Sequence, residues 1–87
     1  MALLQELTEK LALDTMKAMD EFGDDRLFER VAKVILDASP TTQEAYLTAM
    51  KALLAERKGR DFLERSIKAL RAGAATPAAP RSSDAGH

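Results

Sequence analysis

The sequence predicts an all-α protein: a small four-helix bundle over 1–73, followed by a disordered tail over 74–87. Three observations carry that expectation. Apolar residues recur at helical spacing along the chain as far as Leu70. Aromatic residues are only 5% of the chain, and Gly and Pro are scarce before Gly73, a composition that favours helix over sheet. Helix punctuation falls at Gly23, Pro40 and Gly59.

The first helix is expected over 3–22. At roughly 100° per residue, Leu3, Leu4, Leu7, Leu11, Thr15, Ala18, Met19 and Phe22 share one broad face, which Ala12 and Met16 extend. Glu6, Glu9, Lys10, Lys17 and Asp20 lie opposite. An apolar arc that wide implies more than one neighbour, so the first helix is the one expected to be shared with a second copy or a partner chain. Leu13 stands apart, amid the charged side.

Gly23 then supplies a left-handed stop and Asp24 an N-cap. The second helix is expected over 25–38, burying Leu27, Phe28, Val31, Val34, Ile35 and Ala38, with Leu36 alone pointing away. Its β-branched residues are modest helix formers, so packing must hold it.

Ser39-Pro40-Thr41-Thr42-Gln43-Glu44 starts a third helix, either with Ser39 as cap and Pro40 at the first position, or with Thr41 and Glu44 as a capping box. It is expected over 41–58 with Tyr46, Leu47, Met50, Leu53 and Leu54 facing inward. On an unbroken helix, Phe62, Leu63, Ser66, Ile67 and Leu70 would fall nearly opposite that face. A break near Lys58-Gly59-Arg60 resolves the conflict, letting a fourth helix over 61–72 fold back as a hairpin partner and end at Gly73. Beyond it, Ala, Pro, Ser, Thr and Gly dominate, and such a segment buries too little to offset its ordering entropy.

Composition narrows function more than it names it. There is no cysteine, and the single histidine, His87, lies in the tail, so neither a thiolate nor an imidazole metal site is expected and no cofactor is implied. The four glycines are isolated, which excludes a glycine-rich phosphate loop. Asp24-Asp25 could pair on a hard cation, but helix capping accounts for both. Without a signal peptide or a long apolar run, the expected location is the cytoplasm. These absences point away from an enzyme.

Charge is uneven along the chain. Residues 1–50 carry ten acidic and five basic side chains, net −5, whereas 51–71 carry seven basic and three acidic, net +4. Arg57, Lys58 and Arg60 would gather at the hairpin turn, with Arg65, Lys68 and Arg71 on the outer side of the fourth helix. That cluster reads as a solvated helix face, a surface for an acidic protein, or a phosphate-tracking stripe. Leu13 and Leu36 read as scattered surface leucines or as markers of an interface.

The stretch Glu44-Ala45-Tyr46 followed by Arg60-Asp61-Phe62-Leu63-Glu64 resembles the helical hairpin of the small sporulation-checkpoint inhibitors of sensor histidine kinases. It covers under a third of the chain, its spacing differs by about one helical turn, and it assigns no family. The resemblance implies a kinase-inhibitor form of protein binding.

The expected function is therefore a non-enzymatic regulatory or adaptor protein acting through helix-mediated contact with another protein or a second copy of itself, a homodimer being favoured over a monomer. Leu13, Leu36, Arg57, Lys58 and Arg60 are the residues expected to touch the partner. Two alternatives stay open: a small helix-turn-helix-like DNA-binding regulator, and an accessory subunit of an enzyme complex.

Overall fold

The structure is a computed structural model and describes residues 2–79. The described residues form three α-helices and no strand: α1 Ala2–Phe22, α2 Leu27–Ala38 and α3 Pro40–Arg71. All-α is therefore correct and four helices is not. The chain divides into two compact units between Ala55 and Glu56, and α3 runs through that boundary.

Helix α1 ends as its glycine predicts. Gly23 takes φ +64°, and the Asp24 amide returns to the Met19 carbonyl at 3.1 Å, closing a Schellman turn. Helix α2 starts two residues later than expected. The Asp24 carboxylate accepts the Arg26 amide at 3.2 Å instead of capping a helix, which leaves Arg26 at the N-cap with no side-chain cap bond.

Ser39 performs two jobs in one residue. Its amide closes α2 on the Ile35 carbonyl at 2.8 Å, and its Oγ accepts the Thr42 amide at 3.1 Å, capping α3 with Pro40 at the first helical position. Of the two starts the sequence allows, the Ser39 cap is the one formed.

The expected break at Gly59 does not occur, so the separate helices over 41–58 and 61–72 are one. Gly59 keeps a helical backbone outside the left-handed region. A glycine inside a helix costs only about 1 kcal/mol relative to alanine. Ion pairs one turn apart brace the helix across it and just beyond it: Arg60 Nε donates to Glu56 at 2.7 Å and Arg65 Nε to Asp61 at 3.2 Å. The conflict in apolar phase is met by exposure rather than by a turn, since Leu63 and Leu70 are 52% and 63% exposed. Arg57, Lys58 and Arg60 consequently lie within a helix rather than at a hairpin turn, and the hairpin implied by the kinase-inhibitor resemblance is not formed.

In the first unit the core is Ala12, Met16 and Met19 of α1, Ala32 of α2, and Tyr46 and Met50 of α3, with Leu27, Phe28, Val31, Ile35, Leu47, Leu53 and Leu54 packed around it. Alanines at positions 12 and 32 leave room for the larger side chains beside them. The Tyr46 hydroxyl, fully buried, donates to Thr15 Oγ1 at 2.9 Å, and Thr15 donates to the Leu11 carbonyl at 2.8 Å. The buried face of α1 is narrower than the arc read from sequence: Thr8, Ala12, Thr15, Met16 and Met19 are inside, while Leu3, Leu7, Leu11 and Phe22 are exposed. Val34 and Ala38 of α2, expected inside, are exposed as well.

In the second unit α3 ends at Gly73, which takes φ +76° and passes the Ala74 amide back to the Ala69 carbonyl at 2.8 Å. Residues 74–79 carry no regular secondary structure. Ser66 is buried with its Oγ unpartnered, and Phe62 and Ile67 are half-buried. The rest of the expected tail, 80–87 with His87, lies outside the described residues.

Candidate protein-interaction surfaces

Helix α1 and the first half of α3 leave an open groove of about 520 Å3 in the first unit. Its walls come from Leu4, Thr8 and Leu13 of α1 and Leu53 of α3, and Ala45, Thr48, Ala49 and Ala52 supply small side chains at one-turn spacing. Such residues leave the α3 backbone open to close approach from the groove. Gln5 and Glu9 complete the lining, and no lysine or arginine takes part.

Leu13 is half exposed and lines this groove. Leu36 is 45% exposed on α2 and is not among the lining residues. The structure therefore does not gather the two lone leucines of the sequence into one groove.

The second unit has its own shallow concavity, bordered by Arg57, Lys58, Gly59, Asp61, Phe62, Arg65 and Ala79. The Arg65 guanidinium stands 5.8 Å from the Phe62 ring centroid, within cation–π range, while its Nε is held by Asp61. Arg57 and Lys58 border this concavity, whereas Arg60 does not and is engaged by Glu56.

Sequence reasoning missed two features. It buried the Leu3, Leu7 and Leu11 stripe, whose four-residue spacing is as visible on an exposed face as on a covered one. It also passed over Ala45, Thr48, Ala49 and Ala52, whose spacing of three and four was a signal of a groove wall.

The carboxyl of Asp24 and the phenol of Tyr46 have displaced proton affinities, and neither residue lines a groove. The Arg30 guanidinium, bonded to the Asp24 carboxylate, holds that carboxyl below 3.8 against desolvation, with a smaller contribution from the Arg26 amide. Burial pushes the Tyr46 phenol above 10.0, against a smaller opposing effect of the Thr15 hydroxyl. Among the described residues no three His, Cys, Asp or Glu side chains gather around a common point suited to a metal ion, and no helix is long and apolar enough to cross a membrane. What the two units offer is apolar surface and charge. The chain matches no protein-family model, no curated protein and no solved structure.

Proposed function

We propose that this chain is a non-enzymatic regulatory or adaptor protein that works by presenting helical surfaces to another protein. The observation that carries this reading is the open groove of the first unit, where apolar walls and a row of small side chains stand ready for a helix. Leu13 on that groove is a contact residue in this reading, with Leu36 and the basic residues Arg57, Lys58 and Arg60 as further contacts.

The test is a photo-activatable side chain at position 13, with a second at the exposed position Lys33 as control. Cross-linking in the native cell should give a discrete protein adduct from position 13 that the control does not give. Adducts of equal pattern from both positions, or retention of duplex DNA at low salt in place of protein, would overturn the proposal.

A further inference from the structure

The second unit carries an apolar ridge that the chain leaves open. On α3, Leu63, Ile67 and Leu70 follow the spacing i, i+4, i+7, the pattern with which an amphipathic helix anchors in a groove. Leu63 and Leu70 are exposed and Ile67 is half-buried. By the helical period, Arg57, Arg60, Lys68 and Arg71 lie along the ridge on the side of Ile67 with Glu56 and Glu64 among them, and Arg60 is paired with Glu56, so the flank is basic on balance.

The first unit carries a groove that such a ridge would fill. Its one charged lining residue is Glu9, so its electrostatic sign is opposite to that of the ridge's flank. The whole units repeat the contrast: residues 1–55 hold ten acidic and six basic side chains, net −4, and 56–71 hold six basic and three acidic, net +3. Leu13 and Leu53 form apolar walls, and Ala49 and Ala52 leave the space that leucine side chains require.

Ala49 and Ala52 of the groove and the residues of the ridge belong to the same helix, α3.

We infer that the partner of the groove is the ridge of a second copy of this chain. The inference rests on the reading of the protein as a helical interaction module, and it names the partner for that groove. Each copy owns one groove and one ridge, so two copies can exchange them reciprocally, as an isologous dimer does. Glu9 faces the basic flank of the visiting helix, which makes association weaker as salt is raised.

Sedimentation of the full chain from micromolar to millimolar concentration tests the idea. The wild type should dimerise reversibly. Leu13→Asp, in the groove, and Leu63→Asp, on the ridge, should each raise the dissociation constant by about tenfold or more. Both positions are about half exposed, so far-UV circular dichroism should show unchanged helix content. Leu70→Asp, at a still more exposed position, should act as Leu63→Asp does.

The decisive sample is an equimolar mixture of Leu13→Asp and Leu63→Asp. The groove of the ridge variant and the ridge of the groove variant are both intact, so the mixture should associate more tightly than either variant alone. A wild type that stays monomeric, substitutions without effect, or a mixture no tighter than its components would each overturn the inference. A monomeric wild type that still yields a discrete adduct to a different protein from position 13 would remove the dimer and leave the adaptor reading standing.

Discussion

The Tyr46 hydroxyl donates to Thr15 Oγ1 across the core of the first unit, and the same Thr15 oxygen donates onward to the Leu11 carbonyl. Two buried polar side chains from α1 and α3 are thereby both satisfied. The arrangement fixes which turn of α3 lies against which turn of α1, a constraint that apolar packing alone sets only loosely.

That pairing predicts unequal costs for its two halves. Tyr46→Phe removes a donor and leaves Thr15 with its carbonyl partner, so the loss should be about 1 kcal/mol. Thr15→Val keeps the volume but strands the tyrosine hydroxyl in the core, at a cost of about 1–3 kcal/mol. Adding Thr15→Val to Tyr46→Phe should cost less than adding it to the wild type, because no hydroxyl is then stranded. Urea unfolding of the four proteins checks this, and strictly additive costs would show that the two hydroxyls do not interact.

The displaced proton affinities predict opposite behaviour at the two ends of the pH scale. Tyr46, raised by burial, contributes stability that is present below the ordinary tyrosine value of 10.0 and is lost as pH rises through the folded value. Asp24, lowered chiefly by Arg30, contributes stability that is present above 3.8 and is lost as pH falls through the folded value. Tyr46 is the only tyrosine, so Tyr46→Phe should flatten the alkaline limb of a thermal-midpoint profile, and Asp24→Asn the acid limb. The acid effect should shrink with added salt, since the Asp24–Arg30 pair is exposed. An alkaline limb identical in Tyr46→Phe and wild type would show that the phenol does not titrate with unfolding.

Ser66 predicts a substitution that costs nothing. Its hydroxyl is buried with no hydrogen-bond partner, and serine is a poorer helix former than alanine. Ser66→Ala should therefore be neutral or stabilising by up to about 1 kcal/mol. A clear loss on urea unfolding would mean that the hydroxyl has a partner after all.

These sites differ in how legible they were in the sequence. Gly23, Ser39-Pro40 and Gly73 were readable because their signals are local: a left-handed glycine and a capping serine act on backbone groups within one turn. Gly59 was misread because a break there follows only if every apolar stripe is covered within one chain, whereas Leu63 and Leu70 are left exposed. The same assumption placed Leu3 and Leu7 inside. Leu13 stood out in the sequence as an apolar residue among charges, yet its groove was invisible because the other wall lies more than thirty positions away, at Ala45 and beyond. Local capping chemistry is written in short windows, and grooves are not.

The two glycines at 59 and 23 give the sharpest check on the helix count. A Cβ at Gly59 meets nothing within 4 Å and the backbone there is helical, so Gly59→Ala should stabilise the chain by about 1 kcal/mol through helix propensity and a less flexible unfolded state. Gly23 has as much room for a Cβ, but its φ of +64° disfavours an L side chain, so Gly23→Ala should destabilise by about 1 kcal/mol. Space is equal at the two positions and backbone conformation is not, which isolates the variable. Thermal and urea unfolding of both variants give the comparison. Had the chain turned at Gly59 to make a hairpin, alanine there would be penalised as it is at Gly23; equal losses at the two positions would restore the fourth helix and remove the unbroken α3.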